Sequence, residues 1–228
     1  MLIRQERGQA GAHRAQGVAV VIDVFRAFTV SAYALAAGAR ECVLVRTVEE
    51  ALDLAEQTPD AVVSAEIEGK PVPGIPLSNS PTLLSEVDLK DRVLIQRTSA
   101  GTQGVAAAAE HADKVVAASL VVLRATAELL RRMRPRLVTL VATGEPDGHL
   151  EDRECSELLA TLLRGQDPDV QAALERIRGS EHFHFLQSGA MPGFPRSDLD
   201  LALAVDRFDF ALGVELQDSV LRLRAVNP

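Results

Sequence analysis

Apolar and polar positions fall in regular blocks along the first two thirds of the chain. Val18-Ala19-Val20-Val21-Ile22 is an unbroken apolar run, the pattern of a strand covered on both faces, as in a parallel sheet. Comparable runs predict strands at 18–24, 42–46, 61–65, 93–97, 114–118 and 136–142, with helices between them at 27–37, 47–57, 102–111 and 121–134. Gly38 offers a stop for the first helix, and Thr47 with Glu50 forms a capping-box pattern before the second. This alternation predicts an α/β fold of three layers, α/β/α, around a mostly parallel sheet.

The last third breaks the rhythm. Helices are predicted at 151–164 and 168–178 with no strand between them. A loop with Gly and Pro is predicted at 179–197, then a helix at 198–206 and apolar runs at 210–216 and 219–226. The final pair reads as a hairpin added to a sheet edge, which makes the sheet mixed. Residues 66–91 carry Pro71, Pro73, Pro76 and Pro81 and no convincing element. A connection that long is either functional or a surface excursion. No repeat, charge block or low-complexity linker divides the chain, so residues 1–228 are expected to form a single domain.

Composition narrows the function classes. The chain is 47% hydrophobic and 25% charged, ordinary for a globular protein. Aromatic residues are only 4% and Trp is absent, which disfavours a base-stacking platform for single-stranded nucleic acid. A net charge of -8 repels a phosphate backbone. A small anionic substrate therefore needs local arginines, backbone N–H groups or a metal. Cys42 and Cys155 give no disulfide framework and fit a reduced cytosol. There is no apolar leader and no stretch of the roughly 20 apolar residues that a membrane span needs. The expectation is a cytoplasmic protein with no nucleic-acid or membrane partner. A homodimer is the base-rate oligomer.

The candidate chemistry sits at strand ends, where ligand crevices of parallel sheets lie. The first strand delivers Asp23 and, three residues on, Arg26. An acid and a guanidinium at one edge can hold a metal-complexed phosphate. Taken alone, Asp23 as a helix cap and Arg26 as a surface contact is the simpler reading. Other strand ends show the same tendency. Val93–Arg97 runs into Thr98-Ser99-Ala100-Gly101-Thr102, a hydroxyl- and glycine-rich helix start suited to an anion. It lacks the lysine of a nucleotide P-loop. The strand 136–142 runs into Thr143-Gly144-Glu145-Pro146-Asp147-Gly148 and then Glu151-Asp152. Those two acids are either helix-dipole partners or oxygen ligands. Glu66 follows another strand. His182 and His184 bracket Phe183 at a spacing that could bind zinc on a strand, but no third ligand completes a pattern.

Together these segments resemble the magnesium-dependent 2-phosphosulfolactate phosphatase family. The resemblance runs from about residue 18 to 216 and is carried by six pieces in order. They are Val21-Ile22-Asp23-Val24-Phe25-Arg26-Ala27, Glu66 with Gly69, Ser78-Asn79-Ser80-Pro81, Thr98–Thr102, Ala142-Thr143-Gly144 with Glu151-Asp152, and Asp198 or Asp200 with Leu201-Ala202 and Asp206. Ala65 and Ile67 replace a glycine and an arginine of the family's Gly-Glu-Arg segment. Ser78 replaces a glycine, and Ala100 replaces an asparagine. The resemblance implies Mg²⁺-dependent hydrolysis of (2R)-2-phospho-3-sulfolactate. In that reading Asp23, Glu151 and Asp152 position Mg²⁺, and Asp23, Arg26 and Glu66 are catalytic. Asn79, Thr98, Ser99, Gly101 and Thr102 orient the small anionic phosphorylated substrate. Whether Asp23 is ligand or nucleophile stays open. The replaced residues keep two rivals in view: a phosphatase for another phospho-acid, and a non-catalytic binder of an anionic metabolite.

Overall fold

The computed structural model describes residues 1–144 and 149–228. In chain order the strands are β1 (Leu2–Arg7), β2 (Val18–Ile22), β3 (Glu41–Leu44), β4 (Ala61–Ile67), β5 (Lys70–Pro71), β6 (Val93–Arg97), β7 (Lys114–Ala118), β8 (Leu137–Ala142), β9 (Ala211–Gln217) and β10 (Val220–Val226). The helices are α1 (Gly8–His13), α2 (Ala27–Ala36), α3 (Val48–Gln57), α4 (Pro81–Leu84), α5 (Gly101–Ala108), α6 (Leu123–Met133), α7 (Leu150–Leu163), α8 (Val170–Arg178), α9 (Glu181–Gln187) and α10 (Ser197–Ala202). The strands form one mixed sheet in the order β1-β8-β2-β7-β9-β10-β3-β6-β4-β5.

Two parallel blocks make up this sheet. β1, β8, β2 and β7 form one, and β3, β6 and β4 the other. The C-terminal hairpin joins them, because β9 pairs antiparallel with β7 and β10 antiparallel with β3. The hairpin is therefore central, not the edge addition its sequence suggests. Its apolar residues are needed where both blocks would otherwise present unpaired edges. Three antiparallel junctions reverse the second block relative to the first. The five steps from β2 to β6 accumulate on the order of 100–125° of strand twist. That twist turns the reversed block back, and the C-terminal ends of β2 and β6 meet.

The double burial of β2 is visible residue by residue. Ala19 and Val21 face a core shared with α2 and α5, whereas Val18, Val20 and Ile22 face a core shared with α6 and α7. β7 does the same, with Val115 and Ala117 on one side and Val116 and Ala118 on the other. These are the period-two faces of a covered parallel strand, and they give the predicted α/β/α layering. Thr47 caps α3 by accepting from the Glu50 N–H at 3.0 Å, and Gly38, with φ +96°, ends the turn after α2.

Several elements differ from their expected form. The region 66–91 contains the β4–β5 hairpin and the short α4. The two hairpin residues, Glu68 and Gly69, have φ of 52° and 77°, as a two-residue primed turn requires. The expected loop 179–197 contains α9, capped by Ser180 accepting from the Phe183 N–H at 3.1 Å. α10 stops at Ala202, short of the predicted residue 206. No helix among the described residues is long and apolar enough to cross a membrane.

Candidate active site

A cavity of about 730 Å³ opens where β2, β4, β6 and β8 end. Asp23, Arg26, Glu66, Asn79 and Ser99 lie on its wall, with Ala100, Thr143, Gly144, His149 and His182. Segments far apart in sequence thus converge on it, whereas Thr98, Gly101, Thr102, Glu151 and Asp152 are not part of its wall. A second cavity of about 750 Å³ lies over the β9–β10 hairpin and lacks any comparable set of buried acids.

Asp23 terminates β2. Its Oδ1 accepts the Ala27 N–H at 2.9 Å, which satisfies one free donor of α2. The helix-cap reading is thus true of Oδ1. Oδ2 has no protein donor among the described residues. It lies against α5, where a Cβ on Gly101 would come within 2.7 Å of it and 2.6 Å of the Ala27 Cβ. Only glycine lets the positive end of α5 approach this closely. Burial pushes the Asp23 carboxyl up to about 6, reinforced by Glu66 and Glu151 and opposed by the Ala27 N–H and His149.

Arg26 is held rigidly from one side. Its Nη1 donates to Asp198 Oδ2 at 2.8 Å and to the Gly193 carbonyl at 3.0 Å. The Phe194 ring lies under the guanidinium, 4.1 Å from its carbon. Nε and Nη2 have no protein acceptor among the described residues. Burial lowers the Arg26 pKa, against the opposing pull of Asp198. Asp198 also accepts from Ser80 Oγ at 2.8 Å and the Thr82 N–H at 3.0 Å. Of the two acids weighed in the last motif, Asp198 is the one that enters the site.

Glu66 is engaged by the main chain. It accepts the Ser99 N–H at 2.6 Å and the Gly69 N–H at 2.5 Å, with Ser99 Oγ at 3.2 Å. Ser99 therefore spends its N–H and hydroxyl on Glu66 and acts as a latch between β4 and β6. Asn79 accepts from Gln96 Nε2 at 3.1 Å, so its own amide N–H groups remain for the cavity.

Thr98 and Thr102 are corrected. They do not line the cavity. Their hydroxyls accept each other's N–H groups at 3.0 and 2.9 Å, and Thr102 Oγ1 also donates to the Thr98 carbonyl. The pair stiffens the turn so that α5 starts at the cavity. As the first residues there, Ala100 and Gly101 keep N–H groups with no acceptor inside the helix.

Asp152 also differs from its expected use. Its Oδ1 accepts the Val24 N–H at 2.7 Å and its Oδ2 the Gly144 N–H at 3.0 Å. Both oxygens tie the ends of β2 and β8 together instead of facing the cavity. Burial beside Asp23 and Glu151 pushes its pKa up, against the Val24 N–H. Glu151 is fully buried and does not line the cavity. His149 Nδ1 lies 3.1 Å and His182 Nδ1 3.2 Å from its Oε1. Burial opposes ionisation of Glu151, but the two imidazoles hold its pKa below the usual range. Burial likewise opposes charge on His149, yet Glu151, Asp152 and Asp23 raise it to about 9. Glu145–Gly148 of this connection lie outside the described residues.

His149 is the residue that sequence reasoning missed, and His182 was paired with the wrong partner. α9 places His182 beside His149, ring centroids 4.4 Å apart, whereas His184 does not line the cavity. Ser180 at a helix-cap position was the available signal, since it puts His182 on a helix rather than a strand.

A family model described as 2-phosphosulpholactate phosphatase matches residues 5–212. A probable 2-phosphosulfolactate phosphatase of Bacillus subtilis is 32% identical over 211 residues, 91% of each chain. One from Deinococcus radiodurans is 36% identical over 148 residues, covering 64% of this chain and 61% of its own. One from Symbiobacterium thermophilum is 34% identical over 156 residues, 68% and 66% respectively.

Proposed function

The chain belongs to the 2-phosphosulfolactate phosphatase family, and from that premise we propose that it hydrolyses the phosphate ester of a small acid, (2R)-2-phospho-3-sulfolactate, to sulfolactate and phosphate. One observation carries the reading. An Asp23 oxygen with no protein donor among the described residues, the open edge of the Arg26 guanidinium and Ala100 at the start of α5 share one cavity.

The donor set fits Mg²⁺. Asp23 Oδ2 is a hard oxygen with no protein donor among the described residues, and Mg²⁺ takes one or two carboxylates and completes its shell with water and phosphate oxygens. Bound there, the ion supplies neutralisation of phosphoryl charge. The chain's own groups supply the rest. Arg26, fixed by Asp198, presents Nε and Nη2 as a planar fork for two phosphoryl oxygens. The Ala100 and Gly101 N–H groups add dipole-aligned donors. Asn79 offers an amide to the acid end of the substrate. Phosphoryl transfer needs chiefly such positioning and charge stabilisation.

A second reading rests on Ile67. It stands where the family carries an arginine, and it is 47% exposed at the β4–β5 turn. An apolar side chain there removes a cation near the cavity mouth and suits a less anionic phospho-acid. A panel of phospho-acids assayed for phosphate release with Mg²⁺ separates the two. 2-Phospho-3-sulfolactate should show the highest kcat/KM, and a higher value for another ester would reassign the substrate. Ligand-induced thermal stabilisation with no release from any ester would instead identify a non-catalytic binder.

A further inference from the structure

We propose that His149, Glu151 and His182 form a binding site for a transition-metal dication of the Mn²⁺–Zn²⁺ series, separate from the Asp23 oxygen site. The three side chains each offer a donor atom within 4.8 Å of the others. Two donors held about 2.0–2.2 Å from one ion at about 90–110° stand about 2.8–3.6 Å apart. The His149–Glu151 and His182–Glu151 separations of 3.1 and 3.2 Å match that edge.

Glu151 sets this cluster apart from the neighbouring acids. Asp23, Glu66, Asp152 and Asp198 each accept at least one main-chain N–H. Glu151 is fully buried, and among the described residues its partners are the two imidazoles alone. A buried carboxylate needs a cation; a protonated imidazole fills that role without metal, and a dication bound by all three side chains would take the proton's place. Two nitrogens and one carboxylate select a borderline ion over Mg²⁺, which prefers oxygen. His149 and His182 also line an adjoining cavity of about 560 Å³, so an ion has a path from solvent.

The inference concerns binding and does not depend on the phosphatase reading. The test uses the full chain, freed of metal by chelation and titrated with Co²⁺. One equivalent should bind with the visible ligand-field absorption of a nitrogen-containing site, and excess Mg²⁺ should not displace it. His182→Ala should weaken binding at least about 100-fold. Asp23→Asn should bind as the parent does. The exposed trio His13, Glu110 and His111 is the competing cluster, and His111→Ala should leave the signal intact. Zn²⁺ added to the unaltered protein should shift the Nδ1 resonances of two histidines, and the same two should shift in His111→Ala protein, whatever the folding of the His182 variant. Absence of a ligand-field band, displacement by Mg²⁺, or loss of the signal with His111 would overturn the assignment.

Discussion

Asp23 concentrates the tension in this molecule. Its native carboxyl holds a proton up to about pH 6, whereas in the unfolded chain it releases it near the ordinary aspartate value. Between roughly pH 4 and 6 the native state binds more protons, so stability falls as pH rises. The shift corresponds to roughly 3 kcal/mol once both states are ionised. Asp23→Asn removes that cost and keeps an oxygen for the Ala27 N–H. We predict that metal-free Asp23→Asn protein is more stable than the parent at pH 8, by about 1–3 kcal/mol, with no gain at pH 4. Denaturant melts at the two pH values check this. Phosphate release should fall at least about 100-fold in the same variant, and near-parental turnover would remove Asp23 from the site. Arg26→Lys is expected to lose at least about tenfold in kcat/KM, because an ammonium cannot present a planar fork; steady-state assays read it directly.

At the scale of elements, the site depends on helix starts held at fixed distances. α5 reaches Asp23 only because residue 101 has no side chain. Gly101→Ala should push α5 away, costing about 1–3 kcal/mol, and should lower turnover more than Gly179→Ala, a control at φ −82° where an added Cβ meets nothing closer than 3.4 Å. α10 acts as a clamp. Asp198 joins Arg26, Ser80 and Thr82 across three segments. Asp198→Ala leaves Arg26 buried without its counter-ion and should cost about 3–5 kcal/mol, measured by denaturant unfolding. These elements were legible to different degrees. β2 was readable because its Val/Ile run feeds two cores. The placement of Asp23, Arg26 and Glu66 on one cavity wall was readable because each lies at or just past the end of an apolar strand run. β1 was not, since Leu2–Arg7 is an edge strand with no buried residue. α9 buries only Phe183 and Leu186, too little apolar periodicity to stand out from a loop. The inward hydroxyls of Thr98 and Thr102 were also hidden, because a helix-start turn and an anion cradle share one composition.

Across the whole molecule, the C-terminal hairpin is what makes one sheet of two reversed blocks. Leu212 and Leu223 are fully buried within it, and its strands bridge β7 to β3. Its central placement was not readable from sequence, because its partners in β7 and β3 lie 95 or more residues away and leave no local signal; Ala117 pairs with Leu212. Leu223→Ala should cost about 2–5 kcal/mol by the loss of buried volume. The same arrangement brings the ends of β2 and β6 into one cavity. The most direct test is a crystal structure of the full chain with Mg²⁺ and orthovanadate. The account predicts the vanadate between the Arg26 Nε–Nη2 edge and the start of α5, with Mg²⁺ on Asp23 Oδ2. Vanadate bound elsewhere, with Asp23 and Arg26 untouched, would contradict it.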